Sequence, residues 1–467
     1  MSTKLLEISA GLDALVVGAG FTGIYHLHYL RKLGMGVKLF EAGSDLGGVW
    51  YWNCYPGART DSESYIYQFA MEDLWKDFSF DKTFPDRSEI MEYFHYVDKK
   101  LDLRRDMVFD TRVISATFNA DTHRWAVTTD TGVTVHPRFL LLCIGWASTP
   151  VLPEYKGIDT FKGQCHHPAR WPQQGVEFRN KRVGVIGTGA SGVQISQAAA
   201  KEAAKLAVFL RTPPIAFPMR QHQWDEKMQK KWKRLMPHIL QRREQTPTGT
   251  TYGNIPNSMM EVSPEERALT LEELWDKGNF YPISGTFNDV YSDKQANDMV
   301  YAFWRDKVRE RIHDPVLQEK LAPSVAMHVI ASRRDPCLEQ GFYEIFNQSN
   351  VRLVDVKENP IEEVIPGGVR MKDGTEYDLD VLVLATGYDP ITGPMKQIDI
   401  RGKNGTLIRD KWKDNGLMTY LGLMSAGYPN MFFPYGPHGP TGVTNGPSII
   451  VRGFPPCPLV AFNRCRV

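Results

Sequence analysis

No stretch of the 467-residue chain is long and apolar enough to span a bilayer. The most apolar run, Phe139 to Ala147, falls well short of the roughly 18 residues a span needs. Met1 to Leu12 lack a basic start leading into an apolar stretch, so no leader peptide is read there. An excess of one charge is missing as well: 55 Lys plus Arg stand against 54 Asp plus Glu, a formal charge of +1. That balance gives no electrostatic basis for holding nucleic acid or an acidic membrane surface. The six cysteines (Cys54, Cys143, Cys165, Cys337, Cys457 and Cys465) contain no Cys-x-x-Cys pair and no ligand-like histidine spacing. Zinc sites, disulfide frameworks and redox-active dithiols are therefore disfavoured, and isolated reduced thiols in a cytoplasmic protein are expected. What is present is a globular composition, 42% hydrophobic and 23% charged, long enough for about three domains.

The apolar residues Leu12 and Ala14 to Val17 lead into Gly18-Ala19-Gly20-Phe21-Thr22-Gly23, after which Ile24, Leu27, Leu30 and Leu33 recur at helical spacing. The next apolar run, Val37 to Phe40, ends on Glu41. Strand, glycine turn, helix and a strand-end acid are the order in which a dinucleotide fold holds a pyrophosphate and then a ribose. The order repeats further on. Val183 to Ile186 precede Gly187-Thr188-Gly189-Ala190-Ser191-Gly192, and the following strand, Ala207 to Leu210, ends on Arg211 and Thr212. Glu41 would accept bonds from the hydroxyls of an unphosphorylated ribose and repel a 2′-phosphate; Arg211 offers the opposite. The first turn suits FAD and the second NADPH, although Arg211 also reads as a solvated cation at a strand end.

These units predict an α/β fold: two dinucleotide-binding, Rossmann-like domains with a helical insertion in the NADPH domain. The expected boundaries are 1–145 for the first part of the FAD domain, 146–215 and 326–378 for the NADPH domain, 216–325 for the insertion and 379–450 for the second part of the FAD domain. Helical stretches from Glu226 to Arg243 and from Asn297 to Arg311 mark the insertion. Its Trp224, Trp232, Trp275 and Trp304 suit either a roomy apolar pocket or core packing between helices. The basic run Lys230, Lys231, Lys233 and Arg234 reads as a solvated face.

Two further segments carry a family resemblance. Phe161-Lys162-Gly163-Gln164-Cys165-His166-His167-Pro168-Ala169-Arg170-Trp171-Pro172 matches F-x-G-x-x-x-H-x-x-x-W-P, the fingerprint of Baeyer–Villiger monooxygenases, at every specified position. Gly47 to Asp61 likewise match that family's second fingerprint, G-G-x-W-x-x-x-x-Y-P-G-x-x-x-D, and Ala385 to Asp389 resemble its A-T-G-Y-D linker. The resemblance covers residues 12 to about 450. Trp171 favours the ketone-oxidising branch over the enzymes that oxidise nitrogen or sulfur, which usually carry another aromatic there.

The resemblance implies an enzyme that uses FAD and NADPH to insert one atom of O2 next to a ketone carbonyl, giving an ester or lactone. In that family a C4a-peroxyflavin attacks the ketone; the substrate expected here is a bulky secondary metabolite. It also implies roles for particular residues. The flavin side takes Gly18, Gly20, Gly23, Glu41, Val49, Trp50, Tyr51, Trp52, Asp61, Tyr67, Val113 and Gly446. The NADPH side takes Arg59, Thr60, Asp61, Ile186, Gly187, Thr188, Gly189, Ala190, Ser191, Gly192, Arg211, Thr212, Arg333 and Arg334. Arg334, upstream of Phe342-Tyr343-Glu344, is the expected catalytic cation, with Arg333 toward the NADP phosphate and Asp61 as the acid that orients the guanidinium. Two exposed loop arginines are the plainer reading of that pair. His167 and Trp171 are expected to fix the link between domains rather than to touch substrate.

The match stops after about Val451. Arg452-Gly453-Phe454-Pro455-Pro456-Cys457-Pro458 and Leu459 to Val467 show neither helical nor strand periodicity, and residues 451–467 are expected to be an atypical, aberrant tail. A heteroatom monooxygenase and a truncated, non-catalytic flavin-binding remnant are the alternatives this leaves open. No nucleic-acid partner and no transmembrane segment are expected.

Overall fold

The computed structural model describes residues 11–246, 248–326, 336–439 and 444–453. Two parallel sheets organise it, and in both the central strands are short apolar runs buried on each face, as parallel strands covered by helices must be. Ala14–Val17 pairs in parallel with Val37–Phe40 on one side and with Phe139–Leu142 on the other. The full order of the first sheet is Met431–Phe432, Phe139–Leu142, Ala14–Val17, Val37–Phe40, Met107–Val108. Helix Phe21–Lys32 crosses it, burying Ile24, Leu27 and Leu30, and ends with Arg31 and Lys32 at its negative end. Helix Gly446–Gly453 packs against that crossover helix.

The second sheet runs Val351–Asp355, Lys205–Leu210, Arg182–Ile186, Val381–Leu384, Gln164–His166, all parallel. This corrects one boundary. Val381–Leu384, placed above in the second part of the FAD domain, belongs to the NADPH sheet, where Val381 pairs with both Val183 and Gln164. The return to the first domain begins at the Ala385–Asp389 linker. That linker runs beside the outgoing one: the Val151 N–H donates to Gly387 O at 2.9 Å and the Asp389 N–H to Thr149 O at 2.9 Å.

The insertion consists chiefly of helices Glu226–Gln245, Pro264–Lys277, Lys294–Arg309 and Pro315–Leu321. Asp225, Ser263, Asp293 and Asp314 each cap one of them, accepting a backbone N–H from the first turn. The inward faces of the second and third, with Leu271, Trp275, Val300 and Trp304, merge into the core of the NADPH domain. Among the described residues no helix is long and apolar enough to cross a membrane.

Candidate functional site

Each glycine turn puts backbone where a phosphate could lie. Gly18 has φ +100°, and a Cβ there would sit 2.6 Å from Cys143 O; Gly187 repeats the conformation at φ +105°. Helices Phe21–Lys32 and Ala190–Ala199 start from Gly20 and Gly189, with no side-chain cap and no acid in the first turn. The space at each helix start is open: a Cβ on Gly189 would meet nothing within 4 Å, and one on Gly20 only Gly48 Cα at 3.5 Å. Both turns therefore fit a pyrophosphate.

Glu41 stands beside the first turn. Its Oε2 accepts the Ala19 N–H at 2.7 Å and its Oε1 the Gly43 N–H at 2.8 Å, while burial pushes the carboxyl above its ordinary range. The carboxylate keeps acceptor capacity for a ribose hydroxyl. At the second turn Thr188 Oγ1 donates to Thr212 O at 2.9 Å, and Gly189, Ala190 and Arg211 are exposed beside it. Ile186 ends the strand behind, buried, and Gly192 lies in the helix that follows.

The second fingerprint is strapped across both domains. Val49–Trp52 forms one helical turn from which Trp50 Nε1 donates to Tyr67 OH at 3.0 Å. The Tyr67 ring stands edge-on to Phe21, the first residue of the crossover helix, at 5.4 Å. Trp50 and Tyr67 thus pack beside the first glycine turn, whereas Val49 is exposed and the Tyr51 hydroxyl pairs with Ser44 Oγ. Val113 is buried under an antiparallel sheet at the start of strand Val113–Asn119, and Gly446 begins the last described helix.

Further along the segment, Ser191 Oγ donates to Tyr55 OH at 3.1 Å, Tyr55 OH to Gln194 Oε1 at 3.0 Å, and Gln194 Nε2 to Arg59 O at 3.1 Å. Gly57, at φ +87°, lies so close to the NADPH-side helix that a Cβ would come within 2.8 Å of Gln194 O. Arg59 Nη1 donates to Gln340 Oε1 at 2.7 Å. Thr60 is buried and caps the turn by accepting the Ser62 N–H.

Asp61 ends this strap. Burial raises its carboxyl to about 7, against the opposing pull of the Leu338 N–H and of Arg59. Its Oδ1 is sealed from solvent and has no hydrogen-bond partner among the described residues, a vacant acceptor of the kind a cationic or amide donor would fill. Arg333 and Arg334 lie outside the described residues, as do 454–467 of the tail.

The first fingerprint folds onto the linkers. His167 Nε2 lies 3.0 Å from Gly387 O while its Nδ1 accepts the Ala169 N–H at 3.1 Å, and its ring meets Tyr388 edge-on at 5.6 Å. Tyr388 OH in turn donates to Asn53 Oδ1 at 3.1 Å. Trp171 is buried between Tyr55 and Phe178, and its carbonyl accepts Cys54 Sγ–H at 3.3 Å. Both residues thus sit at the junction of the two domains and the second fingerprint.

One acid at this site escaped sequence reasoning. Glu63, 3% exposed, accepts Asn279 Nδ2 at 2.5 Å and faces the Tyr252 hydroxyl at 3.4 Å, both from the insertion. Its closeness to Asp61 in Asp61-Ser62-Glu63 was the only available signal. The insertion tryptophans resolve the other way from a roomy pocket. Trp275 and Trp304 are core residues, and Trp232 stacks on Tyr65 at 4.5 Å and on Trp224 at 5.6 Å. They therefore lend no weight to a bulky substrate.

This architecture, two dinucleotide folds bridged by an aromatic strap with a buried acid at its end, defines a flavin-binding monooxygenase, and the flavin-binding monooxygenase-like family model matches residues 13–242. Cyclopentanone 1,2-monooxygenase of Comamonas sp. is 46% identical over 442 residues, 95% of this chain and 80% of that protein. Phenazine N-monooxygenase PhzNO1 of Lysobacter antibioticus is 38% identical, over 91% of this chain and 78% of its own. A solved structure of OTEMO in complex with FAD and NADP superposes with a TM-score of 0.93 at 38% identity, covering 98% of this chain and 86% of that one. The chain belongs to the Baeyer–Villiger monooxygenases.

Proposed function

We propose that this enzyme inserts one atom of O2 beside the carbonyl of a small-molecule ketone to give an ester or lactone, with FAD at the first glycine turn and NADPH at the second. The observation that carries the reading is the meeting of the second fingerprint with both turns, ending at the unpartnered Oδ1 of Asp61. When bound, FAD supplies the oxygen activation, using electrons delivered by NADPH. The chain supplies the rest. Uncapped helix starts hold the pyrophosphates, Glu41 takes the flavin-side ribose, and Arg211 with Thr212 takes the 2′-phosphate.

Arg59 and Thr60 extend the NADPH side, held in place by Gln194 and Gln340. Arg334 is the proposed permanent cation, with Arg333 toward the NADP phosphate. Asp61 Oδ1 is the acceptor that would fix the Arg334 guanidinium in one orientation. The Trp50–Tyr67 wall excludes water from the flavin side, so that charges inside act at low dielectric.

The test is to supply FAD-reconstituted protein with NADPH, cyclopentanone and ¹⁸O₂ and to analyse the product by mass spectrometry. One ¹⁸O in a ring-expanded lactone is expected. NADPH consumption that yields only hydrogen peroxide across a panel of cyclic and linear ketones would refute the proposal. A second panel of aromatic nitrogen heterocycles tests the heteroatom reading that the phenazine N-monooxygenase likeness favours.

A further inference from the structure

Just beyond helix Lys294–Arg309 of the insertion, the Arg311 guanidinium is forked between two carboxylates. Its Nη1 and Nη2 lie 2.8 and 3.0 Å from the two oxygens of Glu339, and its Nε and Nη2 lie 2.6 and 2.8 Å from those of Glu344. The Glu339 side chain is 1% exposed, so without the arginine it would be a buried anion. Glu339 Oε2 also accepts the N–H groups of Gly341 at 2.7 Å and Phe342 at 2.9 Å, closing the turn that follows. The guanidinium lies over the Tyr343 ring at 5.3 Å, and the Tyr343 hydroxyl is tied to Pro214 O and to the Ala216 N–H.

The residues on either side of Glu339 face the second fingerprint. The Leu338 N–H draws the Asp61 carboxyl downward, against the effect of burial. Gln340 accepts Arg59 Nη1 at 2.7 Å through its side chain and gives its own N–H to Gln197 Oε1 at 2.6 Å, on the NADPH-side helix. Among the described residues, strand Cys337–Glu339 pairs with one partner strand, Ala216–Pro218.

We infer that Arg311 is a positioning residue: by neutralising Glu339 from behind the strand, it fixes where Leu338 and Gln340 meet Asp61 and Arg59, and so couples the helical insertion to the NADPH site. The inference rests on the reading of Arg59 and Asp61 given above. Its physical core is the fork. An arginine presents five donors in one plane and can engage both carboxylates at once, whereas a lysine keeps the charge but engages one at a time. The residue itself never touches the cofactor side; it acts through one backbone N–H and one side-chain amide.

The experiment uses the full chain reconstituted with FAD, as wild type, Arg311→Lys and Arg311→Met. The dissociation constant of NADP+ is measured by calorimetry, FAD retention by absorbance after gel filtration, and Tm by scanning fluorimetry. Arg311→Lys is expected to retain FAD as wild type does while binding NADP+ about tenfold more weakly, the size of one lost charge-assisted contact. Arg311→Met should be weaker still. If Arg311→Met does not fold, Arg311→Lys decides alone. Variants with a lower Tm but wild-type NADP+ affinity would show a purely structural ion pair and overturn the inference. Wild-type protein with no NADP+ affinity would instead overturn the site reading itself, and the inference with it.

Discussion

Glu63 offers a stability prediction whose sign and size both follow from its surroundings. Burial raises its carboxyl from 4.5 to about 7, although Tyr65, Tyr252 and Asn279 all hydrogen-bond toward the charged form. A folded-state pKa above the unfolded one means that the folded protein holds a proton the unfolded chain has released. The associated stability is complete below pH 4.5 and is lost as pH rises through 7. At about 1.4 kcal/mol per pH unit the loss amounts to about 3 kcal/mol by pH 8. Glu63→Gln removes the titration and keeps an oxygen for Asn279 and Tyr252. At pH 5, where Glu63 is already neutral in the folded state, the variant should match wild type within about 1 kcal/mol. By pH 8 it should be the more stable by a few degrees in Tm. The assay is scanning fluorimetry of both proteins, saturated with FAD, at one scan rate from pH 5 to 8. Asp61 and Glu89, also raised to about 7 by burial, are present in both proteins and cancel in the difference. Parallel Tm curves, with no widening toward pH 8, would refute the reasoning.

Asp61→Ala should uncouple the enzyme: NADPH is still oxidised, but the ratio of oxygenated product to NADPH consumed falls, and an unchanged ratio in paired product and peroxide assays would rule the role out. Arg211→Ala should raise KM for NADPH about 10- to 100-fold and leave KM for NADH nearly unchanged, because only the 2′-phosphate contact is lost; steady-state kinetics with both nucleotides decides. Gly57→Ala forces a Cβ into φ +87° and within 2.8 Å of Gln194 O. It should cost about 1–3 kcal/mol in urea unfolding and weaken NADP+ binding, since the helix carrying Gln194 must give way.

Much of the fold was legible because its signals are local. Glycine turns between an apolar run and a helical period define each dinucleotide unit within a few dozen residues, whereas the strap is located only through the family resemblance of its fingerprint. Sheet membership is not local. Val381–Leu384 reads as a buried strand from its four apolar residues, yet nothing in those residues says which of two parallel sheets takes it. The same limit hid Glu63 and Arg311. Each acquires its character from partners on another element, Asn279 and Tyr252 for the first and Glu339 for the second, and burial of an isolated charged residue has no sequence period. The tryptophans show the opposite failure. Composition could not separate a pocket wall from a core, and Trp304, 1% exposed with its indole N–H on Ala216 O, belongs to the core.

The discontinuity of both sheets bears on how the polypeptide reaches this state as it leaves the ribosome. The strands around Ala14–Val17 emerge well before the edge strand Met431–Phe432 and the helix Gly446–Gly453 that covers Phe21–Lys32. The whole second sheet, closed by Val381–Leu384, must be synthesised in between. The FAD-side unit therefore waits, half built and with one flank of its crossover helix bare, while its neighbour is completed. Synthesis order makes the NADPH-side unit the first that can close.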